Sequence, residues 1–360
     1  MALPVHPRQA LFDTEDSAPT LPVCDHYAGV ESRMRKSLAL QAELGPVFDI
    51  TLDCEDGAPV GGEAEHAHLV AELVDSPLNL HGRVGARLHP VRHPAFALEA
   101  ETLVRRCGHR LAYLMLPKAH GLADVQRGCD EIDRLSLGCR LSRQIPLHVL
   151  IETHGALAEV AAIAAHPRVE SLSFGLMDFV AAHRGAIPPS AMSARGQFEH
   201  PLVVRAKLEI AAACHAHRKT PSHCVVVEFN QLDLLEAAAE RAARSFGFTR
   251  MWSIHPDQIQ PIVDAFAPSV AETDQAIAIL LAAQAADWAP ISHPPGATTA
   301  KLHDRASYRH FWRLLELAHR TGQPLPAKAR LAFFDDAALV PSSIPGDVRP
   351  QFVAIGKNGR

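Results

Sequence analysis

The sequence contains no uninterrupted apolar stretch approaching the ~18 residues that a membrane-spanning helix needs, so no membrane partner is expected. The N-terminus lacks a charged segment followed by a long apolar run, which argues against a secretory signal peptide. Seven cysteines are present, and no two of them form a C-x-x-C pair. An odd number of scattered cysteines in 360 residues is typical of reduced thiols, and we therefore expect a cytoplasmic protein without a disulfide framework.

Neither positive nor negative charge is in large excess. The formal net charge is -5, and the largest basic cluster is the short group Arg33, Arg35 and Lys36. This balance predicts no nucleic-acid partner. The 22 histidines are scattered, and none falls in an H-E-x-x-H arrangement, so this zinc-enzyme motif is absent.

Short apolar runs recur along the chain and predict eight β-strands. They lie at residues 20–25, 47–53, 83–88, 111–116, 146–151, 170–175, 223–228 and 250–254. Most are continuously apolar, as expected for parallel strands that are buried on both faces. Helical patterns separate them, most clearly at 155–165 and 201–217. Eight alternating strand–helix units favour an α/β fold of the closed (β/α)₈ TIM-barrel type over an open sheet.

The ends of the chain fall outside this pattern. We expect residues 1–19 to form an irregular N-terminal segment and residues 20–289 to form the barrel domain. A break rich in proline, glycine and histidine then precedes the helical pattern RASYRHFWRLLELAHR. This pattern predicts a C-terminal helical extension at 290–340, followed by a tail at 341–360. The extension is too short for an independent core, so we expect it to pack on its own barrel or on a neighbouring subunit.

Polar residues follow the predicted strands, at the end where barrel enzymes carry their catalytic groups. In strand order, from the second strand to the eighth, they are Asp53, Glu55 and Asp56; Arg87 and His89; Lys118; Glu152; Asp178; Glu228; and His255. Carboxylates accompanied by one arginine and one lysine are typical of a Mg²⁺ site, or a Mn²⁺ site, for an anionic substrate. Zinc would favour histidine and cysteine ligands.

Glu152 and Asp178 are the first candidates for metal ligands because they follow successive strands. Adjacent parallel strands lie about 4.8 Å apart, so two such carboxylates can share one ion. On the pattern alone, a helix-capping role for these acids is an equally good interpretation.

Six segments carry a family resemblance from about residue 47 to about residue 305. They are LDCEDGAP at 52–59, ARLHP at 86–90, LMLPKA at 114–119, LIETHGAL at 150–157, SFGLMDF at 173–179 and FGFTRMWSIHPDQI at 246–259. Their order and spacing resemble the HpcH/HpaI aldolase and citrate lyase β-subunit family, particularly its acyl-CoA lyase branch, which includes malyl-CoA lyases. The resemblance implies that Glu152 and Asp178 bind Mg²⁺ and that Arg87 contacts the substrate carbonyl and the developing enolate.

The resemblance also assigns supporting residues. Glu55 is a further catalytic candidate, and Asp53 and Asp56 belong with it to the acidic motif that supports the metal through waters. AKLHD at 300–304 resembles a C-terminal family segment whose Asp often reaches a neighbouring subunit's site, which makes Asp304 the candidate acid/base. The substrate-binding candidates are Arg87, Lys118, Gly175, Leu176 and Met177.

Several segments depart from the family pattern. PVCDHYAG at 22–29 keeps Gly29 but lacks the Arg and Ser of the family's first strand and the Pro directly before the glycine. His89 replaces an Asn, and EAEHAH at 63–68 replaces K-x-x-A-R. These differences bear on coenzyme A recognition more than on the metal. They indicate a divergent member.

The function that the resemblance implies is Mg²⁺-dependent carbon–carbon lyase chemistry. The enzyme would cleave or form a malyl-, citramalyl- or citryl-CoA-like 3-hydroxyacyl thioester, with a 2-keto acid and an acyl-CoA as the other partners. One alternative is a coenzyme A-independent, metal-dependent aldolase that acts on 2-keto acids such as pyruvate, and another is a non-catalytic barrel subunit. Lys118 could also form a Schiff base, as in metal-free aldolases. The family further implies a homotrimer or homohexamer.

Overall fold

Eight parallel strands close into a barrel in the computed structural model, which describes residues 5–12, 20–292 and 301–334. The strands are β1 Cys24–Ala28, β2 Phe48–Asp53, β3 Val84–Arg87, β4 Leu114–Leu116, β5 Leu147–Ile151, β6 Val169–Phe174, β7 Thr220–His223 and β8 Arg250–Ser253. Each strand pairs with the next one along the chain, and β8 pairs with β1 to close the barrel. The predicted (β/α)₈ barrel with C-terminal helices is confirmed.

Helices connect the strands and continue beyond the barrel. They are α1 Pro7–Leu11, α2 Glu31–Leu44, α3 Glu63–Asp75, α4 Phe96–Cys107, α5 Leu122–Gly138, α6 His154–Ala158, α7 Val160–Ala165, α8 Leu176–Ala182, α9 Pro201–Ala216, α10 Leu232–Ser245, α11 Ile259–Phe266, α12 Val270–Ala285, α13 Arg305–Arg320 and α14 Ala327–Phe333. None of the helices in the described part of the chain is long and apolar enough to cross a membrane.

The helical pattern at 155–165 forms two short helices rather than one. Thr153 caps α6 by accepting a hydrogen bond from the Ala156 backbone N–H at 3.0 Å. Glu159 interrupts the helical path with φ -107° and ψ 16°, and its Oε2 accepts from the Leu122 backbone N–H at 2.6 Å. The long-range hydrogen bond therefore accompanies the break that the apolar periodicity did not reveal.

Two strands lie in other places than predicted. The first is β1 at Cys24–Ala28 rather than 20–25, and the seventh is β7 at Thr220–His223 rather than 223–228. Apolar runs did not locate β1 and β7 because both strands carry polar residues that are buried in the barrel. Arg250 is fully buried between Asp25 and Asp49, at 3.0 and 2.5 Å, so strand residues that look exposed in sequence are inside.

A second apolar cluster lies outside the barrel and joins both ends of the described chain. Leu11 of α1, Leu280 of α12, Trp312 of α13 and Phe333 of α14 are buried in it. Residues 1–19 are therefore not wholly irregular, because they contain α1. The sequence had placed α12 in the barrel domain, whereas the structure packs it with the extension. The expected tail at 341–360 lies outside the described residues.

Candidate active site

The C-terminal ends of the strands gather charged residues at one rim of the barrel. Asp53 is the last residue of β2 and is the register partner of Arg87, the last residue of β3. Glu152 follows β5 directly, and Asp178 lies in the first turn of α8, just after β6. Strand position thus brings these groups, which are distant in sequence, to one end of the barrel.

Arg87 and Asp53 form the most buried ion pair of this rim. The Arg87 Nε lies 2.6 Å from Asp53 Oδ1, and Nη2 lies 3.0 Å from Oδ2. The third nitrogen, Nη1, is 3.1 Å from Glu55 Oε2. Burial opposes ionisation of Asp53, but the Arg87 guanidinium outweighs this effect and holds the pKa of the carboxyl below its usual value. The carboxylates of Asp53 and Glu55 therefore fix the orientation of the Arg87 guanidinium.

Tyr27 belongs to this group, and the sequence analysis did not find it. Its hydroxyl contacts both Arg87 and Asp53, and its ring stacks on Trp252 with centroids 5.7 Å apart. The misplaced first strand hid this role. Asp25 and Tyr27 are alternate residues of β1, and alternate strand residues face the same side of the sheet. This spacing is the sequence signal that places Tyr27 on the same side as Asp25.

Lys118 lies among the acids of the rim. Its Nζ is 2.5 Å from Glu55 Oε1, 2.8 Å from Asp56 Oδ2 and 3.8 Å from Asp178 Oδ1. Burial disfavours the ammonium form, but hydrogen bonds to Asp56 and Glu55 raise the pKa of Lys118 above its usual value. A Schiff-base lysine must lose its proton to react, so these contacts oppose that alternative.

The backbone at Lys118 is also unusual. Its φ of 47° lies in the left-handed region, which is uncommon for a residue other than glycine. In this conformation the Lys118 backbone N–H donates to Glu152 Oε1 at 2.7 Å. Backbone strain of this kind tends to persist where the surrounding contacts require it. Lys118 therefore positions Glu152 through its main chain while its side chain neutralises the neighbouring acids.

Glu152 is buried, with 2% of its surface exposed, and lies beside Gly175. A Cβ atom at residue 175 would lie 2.1 Å from Glu152 Oε2, so the absence of a side chain there makes room for the carboxylate. Burial, reinforced by repulsion from Asp178, raises the pKa of Glu152 to about 8. Two mutually repelling carboxylates of this kind favour a cation between them.

The donor set fits Mg²⁺. Among the described residues, no group of three or more His, Cys, Asp or Glu side chains could hold a metal ion. Glu152 and Asp178 offer two carboxylates, and Mg²⁺ commonly takes one or two and completes its shell with waters and substrate. A closed zinc site would need four protein ligands. Leu176 is buried and Met177 is half-buried where α8 begins, beside the same rim.

Two candidates lie apart from the cluster. Asp304 caps α13, where its Oδ1 accepts from the backbone N–H groups of Ala306 and Ser307 at 3.0 and 3.2 Å. Glu228 lies several residues after the end of β7 at His223, and its Oε1 accepts from the Ala194 backbone N–H at 3.0 Å. Among the described residues, the side-chain hydrogen bonds of Asp304 and Glu228 go to backbone N–H groups and not to Arg87, Glu152 or Asp178.

The two rim histidines also have local partners. His89 Nδ1 is 2.5 Å from Glu99 Oε1, and the His89 ring stacks on His93 with centroids 4.2 Å apart. His255 caps the turn that follows β8 by accepting from the Asp257 backbone N–H at 3.3 Å. Their contacts are those of packed, hydrogen-bonded side chains.

Comparison with known proteins identifies the family of this chain. Residues 46–256 match the model of the HpcH/HpaI aldolase/citrate lyase family. A citrate lyase from Burkholderia xenovorans is 50% identical, with a TM-score of 0.78 over 91% of this chain and 100% of that one. An L-malyl-CoA/β-methylmalyl-CoA lyase from Cereibacter sphaeroides is 26% identical over 72% of this chain and 84% of its own length. The protein CitE from Mycobacterium tuberculosis, in complex with magnesium, acetoacetate and coenzyme A, shares the fold at 20% identity, with a TM-score of 0.62 over 83% of this chain and 99% of that one. The chain therefore belongs to the HpcH/HpaI aldolase/citrate lyase family and is a lyase.

Proposed function

We propose that this lyase is Mg²⁺-dependent and cleaves or forms a 3-hydroxyacyl-CoA thioester of the malyl, citramalyl or citryl type, releasing or using a 2-keto acid. The observation that carries the proposal is the buried carboxylate of Glu152, raised in pKa by burial and Asp178, at the rim that also holds Arg87. Similarity to an L-malyl-CoA/β-methylmalyl-CoA lyase supports a thioester substrate.

Glu152 and Asp178 would hold the ion, which when bound supplies Lewis acidity to a substrate oxygen. Arg87 would stabilise the negative charge of the enolate that cleavage leaves on the thioester half. Its Nε and Nη2 are engaged by Asp53 and Tyr27, so the Nη1 group beside Glu55 is the part that would face a substrate oxygen.

The acidic residues after β2 would support the site without binding the ion directly. Glu55 contacts both Arg87 and Lys118, at 3.1 and 2.5 Å, and so fixes two cations relative to each other. Asp56 contacts the Lys118 ammonium at 2.8 Å. With Asp53, these acids would orient metal-bound waters and keep Lys118 charged for contact with an anionic substrate.

Asp304 would act as the acid/base in a neighbouring subunit of a homotrimer or homohexamer. Within one chain its side chain caps α13, so a role in the reaction requires the site to be completed by another copy. A monomeric mass in light scattering would exclude this role.

The test is a panel of malyl-, methylmalyl-, citramalyl- and citryl-CoA, with 2-keto acid release followed with Mg²⁺, with EDTA and in Glu152→Ala. Glu236→Ala, at an exposed position on α10, is the matched control and is expected to behave as the wild type. Cleavage of one thioester that both EDTA and Glu152→Ala abolish would support the proposal.

Two other outcomes would replace it. If Mg²⁺ binds but no thioester is cleaved, whereas a hydroxylated 2-keto acid is, the enzyme is a coenzyme A-independent aldolase. If calorimetry detects no Mg²⁺ binding and no substrate turns over, the barrel is a non-catalytic subunit.

A further inference from the structure

A cavity of about 570 Å³ lies at the N-terminal ends of the strands, opposite the rim that carries Glu152. Residues before β1, β7 and β8 form its walls on the barrel side, and α13 forms the other wall. A volume of this size is within the range of small-molecule sites. The N-terminal end of such a barrel ordinarily serves stability rather than catalysis, so a cavity there needs its own explanation.

The lining of the cavity is strongly basic. Its cationic side chains are Arg218, Lys219, Arg244, Arg313 and Arg320, and its acidic side chain is Glu316. Glu316 is already paired, at 2.8 Å with Arg8 and at 3.2 Å with Arg313. Arg244 has Glu272 as its partner at 3.3 Å. The positive charge of Lys219 and Arg320 is not balanced by these pairs.

Among these residues, Arg320 gives the clearest indication of an anionic ligand. Its Nε is buried and has no hydrogen-bond partner in the described part of the chain. Burial lowers the pKa of Arg320 against the opposing effect of Glu316, and the nearby guanidinium groups of Arg83 and Arg313 lower it further. A buried N–H group of a charged side chain is costly when nothing accepts from it, and an anion beside the half-buried Arg320 side chain would offset this cost.

The cavity also has an apolar side. Phe248 and Phe266 are almost fully buried in its wall, and Leu21 and Leu317 complete this side. A simple inorganic anion would leave this surface unused. A ligand that combines phosphate groups with an apolar moiety would use both halves of the lining, because guanidinium groups bind phosphate oxygens in pairs and an apolar moiety is stabilised when it leaves water for an apolar wall.

We propose that this cavity is a second ligand site, separate from the catalytic rim, that binds a phosphorylated small molecule of nucleotide size. The phosphate groups contact Arg320 and Lys219, and the remainder lies against the apolar side of the cavity. Since α13 supplies Arg320 while the segment before β7 supplies Lys219, the ligand joins the C-terminal extension to the barrel. Ligand binding therefore stabilises the docked position of α13.

The experiment is calorimetric titration of the full chain with ATP and with inorganic triphosphate, in buffer without divalent cations. We expect ATP to bind more tightly than triphosphate, because only ATP uses the apolar side. Arg320→Met and Lys219→Met should each weaken ATP binding by about tenfold or more, the usual effect of losing one charge-assisted hydrogen bond. ATP should also raise the midpoint of thermal unfolding, Tm, in the wild type and not in Arg320→Met.

Two control variants distinguish ATP binding in this cavity from ATP binding elsewhere on the protein. Arg205→Met removes an exposed arginine from α9 and should bind ATP as the wild type does. Lys118→Met alters the catalytic rim and should also leave ATP binding unchanged, which excludes binding at that rim. If Arg320→Met fails to fold, Lys219→Met at its half-buried position gives the same readout.

The proposal is overturned if the wild type binds neither ligand, or if Arg320→Met and Lys219→Met bind ATP as tightly as the wild type. It is also overturned if Lys118→Met is the variant that loses ATP binding. Equal binding of ATP and triphosphate would show that the apolar side does not contribute to binding, and it would overturn the proposal of a nucleotide-sized ligand.

Discussion

Arg87 donates to both carboxylate oxygens of Asp53, from Nε at 2.6 Å and from Nη2 at 3.0 Å. The two strands that carry these residues are paired, and the residues are register partners at their ends. A two-point contact fixes the plane of the guanidinium as well as its position, which a lysine could not reproduce. The orientation of the proposed enolate-stabilising group is thus set by its neighbour on the next strand.

Asp53→Asn should lower kcat by roughly 100-fold, because the displaced Arg87 would no longer meet the developing charge. Mg²⁺ affinity, measured by calorimetry, should stay within about twofold, since the proposed ligands are elsewhere. Asp257→Asn, at an exposed site, is the control and should have wild-type kcat. A normal kcat in Asp53→Asn would show that Asp53 does not position Arg87 for catalysis.

Gly175→Ala should abolish measurable Mg²⁺ binding while the circular dichroism spectrum stays that of a folded barrel. The added Cβ would lie 2.1 Å from Glu152 Oε2, so the carboxylate must move away from its place. Gly138→Ala is the matched control, because a Cβ there meets no atom within 4 Å. Wild-type Mg²⁺ affinity in Gly175→Ala would mean that Glu152 does not hold the ion in this position.

Lys118→Met should tighten Mg²⁺ binding by roughly fivefold, since it removes a positive charge 3.8 Å from Asp178 Oδ1. Two charges at about 4 Å interact by about 1 kcal/mol even in a water-like medium. At the same time, KM for the anionic substrate should rise. Weaker Mg²⁺ binding would instead indicate that Lys118 is needed to hold the acids in place.

Asp304→Ser should lower kcat by at least about 100-fold with no change in Tm. Serine is a good helix-capping residue, so the hydrogen bonds at the start of α13 are retained while the carboxylate is lost. Asp304→Ala should lower both kcat and stability, the latter by about 1 kcal/mol. If Asp304→Ser has full activity, the residue serves only as a helix cap.

Lys207 makes stability depend on pH. It is fully buried, its Nζ is 2.8 Å from Gln197 Oε1, and burial lowers its pKa to about 8. An unfolded lysine keeps its proton to about pH 10.4, so between these values the unfolded state binds more protons. The free energy of unfolding therefore gains a contribution that grows as pH rises from about 8 to about 10, by about 3 kcal/mol in total.

Denaturant unfolding at pH 7, 8.5 and 10 measures this effect. The stability difference between wild type and Lys207→Met should change in favour of the wild type as the pH rises. Lys328→Met, at an exposed position on α14, should show no such trend. Parallel pH profiles for wild type and Lys207→Met would contradict the lowered pKa of Lys207.

Sequence and structure agree best where an apolar run ends in a charged residue. The ends of β2, β3 and β5 placed Asp53, Arg87 and Glu152 correctly at one rim, because the direction of a parallel strand fixes which end its last residue occupies. Tyr27 was missed because its strand also carries buried polar residues that contact the interior arginine, Arg250.

The amino-acid sequence by itself determined the alternation of strands and helices, the family and the rim residues, since these follow from local periodicity and short motifs. Tertiary structure alone decided which of them touch. Two examples are the room that Gly175 leaves for Glu152, where an added Cβ would lie 2.1 Å from Oε2, and the contact of Lys118 with Glu55. Both depend on how neighbouring strands and loops close around the barrel. The basic cavity beneath α13 likewise exists only because the docking of that helix brings Lys219 and Arg320, about a hundred positions apart, to the walls of one cavity.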